Sequence, residues 1–229
     1  MQQLIEKYKK GERNFSGLSL IGANLSKIDL SGVDFSGANL SGADLVQTDL
    51  SGANLNSAKL IGANLEQVRL NEADLYKAQM KKSVLYNADL SQANLIEADL
   101  TEAKINRANL VGANLSWANL RGANLNKADL TKATMNYAIL AEAELLEAVL
   151  IGAKMRGIIL SLATLNLANL SHADLSGAYL SMANLDNAIL IGTDFSNSDF
   201  RATSLINVDF SQAKMEGANL EFAIVNACS

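Results

Sequence analysis

The sequence predicts an all-β fold, a parallel solenoid wound from five-residue units and covered at its N-terminal end by one short α-helix. Three observations predict it. All 43 positions divisible by five from Phe15 to Val225 are apolar, and 32 of them are Leu. Two places earlier 31 of the 43 residues are Ala, with Asn or Asp usually standing between. Fourteen of the 15 glycines fall two places after the central apolar residue. A register that never slips marks internal repeats, each too small to bury its own apolar face.

A period of five excludes the two ordinary elements. A helix turns about 100° per residue, so successive leucines would spiral around it. A long strand would put residues five apart on opposite faces. A three-residue extended segment followed by a corner satisfies both the Ala and the Leu set. Its first and third side chains point to one face and its middle Asn or Asp to the other.

Residues 2–10 open the chain as a short helix, with Leu4, Ile5 and Tyr8 on one face by their spacing. Gly11 is its expected C-terminal cap, and Lys9 and Lys10 face the negative end of its dipole. A helix this short is not stable alone, and the first coil of an array needs a cover. The expected organisation is therefore residues 1–12 as an N-terminal capping helix and residues 13–229 as the repeat body.

At each corner the glycine position is the third residue of a four-residue β-turn, where a type II turn requires positive φ. Seven of the ten corners from 17 to 62 carry Gly and none of the nine from 67 to 107 does. The expectation is type II corners in the N-terminal coils and other turn types in the middle. Five of the six Phe occupy central positions near the two ends, at 15, 35, 195, 200 and 210, which predicts a wider or reorganised cross-section there. No terminal helix is evident after Leu220. The last coil, about residues 206–229, is expected to offer unpaired edges with Phe210, Phe222 and Val225, an invitation to homo-oligomers through that end.

The motif running as ANLSG, ADLVQ and ANLNS from Ala38 to Ser57 resembles the pentapeptide-repeat family, over about residues 13–229. The segment LIEKYKKGERNF also resembles the capping segment of cyanobacterial members, one of them a regulator of heterocyst differentiation. The resemblance implies a right-handed quadrilateral β-helix with four units to a coil; the hand is also the one that parallel crossovers favour. Twenty residues per coil give about eleven coils, a rod of about 52 Å at a strand spacing of about 4.8 Å.

Composition argues against several functions. There is no Pro, no apolar run long enough to span a bilayer and no secretory leader in the first residues, so the expected location is cytoplasmic. Cys228 is the lone cysteine, and the only histidine, His172, has no companion that would complete a metal site. Lys77, Lys81 and Lys82 form a modest basic cluster offset by Glu72. A net charge of −5 disfavours nucleic acid as a direct ligand. No phosphate loop, nucleophile elbow or catalytic dyad is present, so no enzymatic activity, cofactor, metal or small-molecule substrate is expected.

The family resemblance carries a second reading, since some members protect DNA gyrase by imitating duplex DNA. DNA bears one negative charge per about 1.7 Å, far denser than −5 along this rod. The Asp column at 29, 49, 89, 129 and 209 is broken by Arg69, Asn109, Val149, Asn169 and Ile189. The favoured reading is a scaffold that binds another protein, ahead of DNA mimicry and of a purely structural role. Its candidate surface lies where the polar middle position becomes Ile139, Ile159 and Tyr179, flanked by corner residues Leu162 and Met182. Leu146, Val149, Ile151, Leu167, Ile189 and Ile191 lie on neighbouring sides. Trp117 and Tyr137, 20 residues apart at corners, are expected to stack as a second anchor.

Overall fold

The computed structural model describes residues 2–225; Cys228 and the end of the last coil lie outside them. Residues Gln2–Lys9 form α1. Gly11, at φ 94°, ends it, with Glu12 N–H donating to Lys7 O (3.1 Å) and Gly11 N–H to Tyr8 O (2.9 Å). This pair of bonds is the Schellman termination, which satisfies carbonyls that the helix end leaves open. Leu4 is buried, and Ile5 and Tyr8 pack partly buried against the same core. The Tyr8 hydroxyl donates to Ser31 O at 2.8 Å, tying the helix to the repeat body.

From Asn14 onward the chain winds as a parallel solenoid, a right-handed β-helix. Each middle residue from Asn14 to Asn184 is bridged to the one 20 positions later, as in Asn14↔Asp34 and Asn119↔Ile139. Among the described residues only Ser204–Leu205 (β1) and Ile224–Val225 (β2) extend the pairing to two residues, Ser204 opposite Ile224 and Leu205 opposite Val225. The repeat Ala128–Lys132 shows how a five-residue unit satisfies all its N–H groups. Ala128 N–H closes the preceding turn on Leu125 O (3.0 Å), and Asp129 N–H reaches Ala108 O (3.0 Å) in the coil before. Leu130 and Lys132 donate to Val149 O and Ile151 O in the coil after, at 2.7 and 2.9 Å. The fifth donor, Thr131 N–H, is taken by the Asp129 carboxylate at 2.9 Å. The middle Asn or Asp is therefore the acceptor that completes the backbone account, since a buried donor without a partner is costly.

The Leu column and the Ala column together fill the interior; Leu110, Leu115, Leu120 and Leu125 and the alanines beside them are all buried. Where a polar residue replaces Ala, it usually finds a local carbonyl: Thr48 donates to Leu25 O (2.7 Å) and Thr203 to Leu180 O (2.7 Å). Ser83 is the exception, a buried hydroxyl with no partner. Leaving a buried polar group unsatisfied costs about 1–3 kcal/mol. Ser83→Ala should therefore raise stability by about 1 kcal/mol in chemical denaturation; a loss of stability would contradict the assignment.

The corners correct the sequence expectation. Positive φ is not confined to the Gly-rich coils: every corner from Gln67 to Arg107 has it, at 53–60°, as do Gly17 and Gly62. One corner geometry serves the middle coils as it serves the N-terminal ones. The reason is the ladder, because the residue at this position must aim its N–H at the next coil, as Glu72 does to Ser91 O at 2.9 Å. Gln212 alone among the described corners lacks positive φ. It sits where the ladder breaks: the column through Asn169↔Ile189 does not continue to Asp209, and Gly192 N–H bonds Gln212 O at 3.2 Å. Reorganisation near Phe residues thus occurs at the C-terminal end, while at the other end Phe15 and Phe35 lie 6.0 Å apart beneath an intact ladder. In the last coil Phe222 is 78% exposed and Val225 54%, while Phe210 is half-buried.

Candidate protein-binding face

One side of the rod departs from the pattern over three coils. Its middle residues run Ser19, Asn39, Lys59, Gln79, Asp99 and Asn119, then Ile139, Ile159 and Tyr179. The last three are directly bridged, Ile139↔Ile159 and Ile159↔Tyr179. Along the chain the departure is wider: Thr134, Ile139, Glu144, Val149, Lys154, Ile159 and Thr164 are seven successive middle positions without Asn or Asp. Two of the N–H groups left open are served from the coil before, Leu146 by Asn126 Oδ1 (2.8 Å) and Arg156 by Asn136 Oδ1 (3.0 Å). Ala141, Ser161 and Ser181, which follow the three apolar residues, have no such acceptor among the described residues. Each apolar side chain on this side stands where a turn acceptor would otherwise be.

The face continues around both corners. Beyond Ile159 and Tyr179 lie Leu162 and Met182, 52% and 63% exposed. Tyr179 itself is 53% exposed, Ile139 is at the edge of exposure and Ile159 is half-buried. At the opposite corner Trp117 and Tyr137 stack, ring centroids 4.5 Å apart and planes 19° apart. The next residue in that column is Gly157, and a Cβ there would come within 2.7 Å of the Tyr137 ring. Glycine is what lets Tyr137 lie flat against the following coil. Gly177 follows, with nothing within 4 Å of a Cβ position. A shallow groove runs here between Tyr137, Arg156, Gly157, Gly177, Tyr179 and Asn197. Sequence reasoning missed Arg156, Gly157 and Gly177. The available signal was an aromatic corner column followed by two glycines at the same spacing of 20.

Elsewhere charges are spent on the ladder. Lys77 pairs with Glu97 and Lys82 with Glu102, each at 3.4 Å, so two members of the lysine cluster face carboxylates of the next coil rather than Glu72. Arg69 pairs with Asp49. Burial works against the Asp49 carboxylate, but the Arg69 guanidinium and the Ser51 hydroxyl and N–H outweigh it and hold its pKa below the ordinary value. Asp194 is lowered by the hydroxyl and N–H of Ser196 and then by Lys214. His172 lies over Gly192 at a corner. No cluster of three or more metal-ligating side chains occurs among the described residues, and none of their helices is long and apolar enough to cross a membrane.

The model of the family described as pentapeptide repeats matches the chain in eight copies spanning residues 14–221. The chain belongs to the pentapeptide-repeat family. Among solved structures it is similar to HetL, a pentapeptide-repeat protein involved in heterocyst differentiation regulation from the cyanobacterium Nostoc sp. strain PCC 7120. The two are 30% identical over 98% of this chain and 94% of HetL, with a TM-score of 0.64. A pentapeptide-repeat protein from the thylakoid lumen of Arabidopsis thaliana is also 30% identical, over 47% of this chain and 61% of its own, with a TM-score of 0.31. QnrB1, a plasmid-mediated fluoroquinolone resistance protein, is 18% identical over 92% of this chain and 91% of its own, with a TM-score of 0.41. No curated protein sequence matches the chain.

Proposed function

We propose that this protein is a non-catalytic scaffold that binds another protein through the side carrying Ile139, Ile159 and Tyr179. One observation carries the reading: three bridged coils replace the turn-capping Asn or Asp with an exposed or half-buried apolar side chain, on the side where Leu162 and Met182 are also exposed. Giving up an intramolecular hydrogen bond costs about 0.5–1.5 kcal/mol each time, with nothing inside the fold returned for it. Contiguous exposed apolar surface is the usual mark of an interaction site. Trp117 and Tyr137 extend it with aromatic area of the kind interfaces favour.

In this reading α1 covers the first of about eleven coils, residues 13–229 at twenty to a coil, and the rod is a rigid spine that presents the face. Similarity to HetL favours a regulator of its partner over a passive structural role. DNA mimicry is disfavoured by the ladder itself, where Asp49, Asp194, Glu97, Glu102 and Glu147 are neutralised by cations one coil away.

The test is affinity capture from the source organism with the wild type and with a variant carrying Ile159→Glu and Tyr179→Glu. Arg69 and Glu144 already occupy the same position of other repeats, so the fold should tolerate both changes. The expected result is a partner held by the wild type and lost by the variant, with unchanged thermal unfolding. An identical set of captured proteins would refute the reading.

A further inference from the structure

The groove beside Tyr179 has a shape and a charge that narrow what the face binds. The Trp117–Tyr137 stack runs along the rod at one corner and no ring follows it, because the next two residues in the column are Gly157 and Gly177. Gly157 is required by the Tyr137 ring. Gly177 is not required by any contact, since a Cβ there would meet nothing within 4 Å. Nor does its positive φ demand glycine, because Gln47, Gln67 and Gln92 hold the same corner position at 56–59°. The result is a gap in the column above the Tyr137 ring, closed at its far end by Asn197.

Arg156 stands at one wall of this gap, exposed and without an ion pair among the described residues. Arg69, Lys77, Lys82, Arg121 and Lys127 are paired with carboxylates, whereas Arg156, like Lys132 and Lys154, has none among the described residues; of these three only Arg156 lines the groove. The nearby Asp174 carboxylate accepts Ser176 N–H at 3.0 Å and does not reach Arg156. A cation left open beside an aromatic face is locally complementary to a carboxylate supplied from outside, against the net charge of −5 that the whole chain carries. The apolar Ile159–Tyr179 row lies two residues along the side from the glycines. That offset matches an extended chain, whose alternate side chains are about 6.6 Å apart on one face.

We propose that the gap takes an aromatic side chain from an extended acidic segment of another protein. Its ring stacks on Tyr137 over Gly177, an acidic residue two places to one side pairs with Arg156, and an apolar residue two places to the other side rests on Ile159 and Tyr179. The proposal rests on the scaffold reading and adds the chemistry of the partner to it.

Trp117, the single tryptophan, stacks on Tyr137 and reports on the site. The experiment titrates the full chain with a synthetic peptide centred on Glu-Ser-Phe-Ser-Leu, which contributes no tryptophan emission, and follows fluorescence. The expected result is a saturable change. Binding should weaken at least about tenfold when the peptide Phe becomes Ala or its Glu becomes Lys, as loss of an anchor does. Gly177→Gln, which fills the gap, and Arg156→Glu, which reverses the charge, should weaken it as much while the chain stays folded at the assay temperature, Gly177→Gln lowering the thermal midpoint only by the strain of its positive φ. No saturable change, equal binding of the Lys peptide, or unaltered binding by both variants overturns the proposal. The scaffold reading fails separately. If Ile159→Glu with Tyr179→Glu releases a captured partner but Gly177→Gln and Arg156→Glu do not, the face binds a protein in another way. If that face proves to join two copies of this chain in sedimentation, the acidic segment is not its occupant.

Discussion

Replacing Leu115 with Ala should cost about 2–5 kcal/mol, the range for deleting a buried leucine whose cavity cannot close. Leu115 is fully buried, as are its neighbours 20 residues away, Leu95 and Met135. Closing the gap would require the coils to approach one another, and the ladder forbids it. Leu115 N–H is held to Thr134 O at 2.7 Å and Asn114 N–H to Ala93 O at 2.9 Å, so coil spacing is set by backbone bonds rather than by side-chain volume. The lost contacts are therefore not recovered. Denaturant unfolding should show the loss as a lower midpoint, and a destabilisation under about 1 kcal/mol would mean that the interior relaxes in a way a rigid ladder does not permit.

That rigidity explains how much of the molecule was legible in its sequence. The inward Leu and Ala columns, α1 with its Gly11 termination, and the stacking of Trp117 on Tyr137 all follow from local spacing, and the structure has them. The corners did not follow, because glycine content measures the ease of positive φ and not the need for it. Glu72, Lys77 and Tyr137 adopt φ of 55–60°, which costs a non-glycine residue about 1–2 kcal/mol. They adopt it because their N–H groups must meet the next coil, a requirement that no window of the sequence contains. The role of the middle Asn or Asp was hidden for a similar reason. It reads as generic outward polarity until the backbone donors are counted, and Ser26 and Thr131 are then seen to depend on Asn24 and Asp129. The candidate face was visible as a column of Ile139, Ile159 and Tyr179, but not the gap beside it. A gap is made by what Gly157 and Gly177 omit, and glycine at a corner looks like ordinary turn chemistry.

The same ladder makes the position of a cavity matter as much as its size. Phe200→Ala should cost about 3–5 kcal/mol by the measure of other buried phenylalanines. Phe200 is fully buried and meets Phe195 edge-on, centroids 4.9 Å apart and planes at 67°. Unlike Leu115, it lies one coil from the described end of the rod. Among the described residues the following coil is packed against a coil on one side only; it has lost the bridge to Asp209 and leaves Leu220 and Val225 about half exposed. In a solenoid each coil is stabilised by its own terms and those of its immediate neighbours, so a loss of this size exceeds what the last coil can absorb. The expected outcome is local release rather than global unfolding. Hydrogen exchange should quicken at Asn219 and Ile224, whose N–H groups bond Ser198 O and Thr203 O at 2.9 and 2.8 Å, while Leu115 N–H keeps its wild-type protection. Leu115→Ala should do the reverse, loosening the centre while the terminal coil keeps its own rate. Equal acceleration at both places in either variant would show that the rod unfolds as one cooperative block, and the nearest-neighbour account would then be wrong.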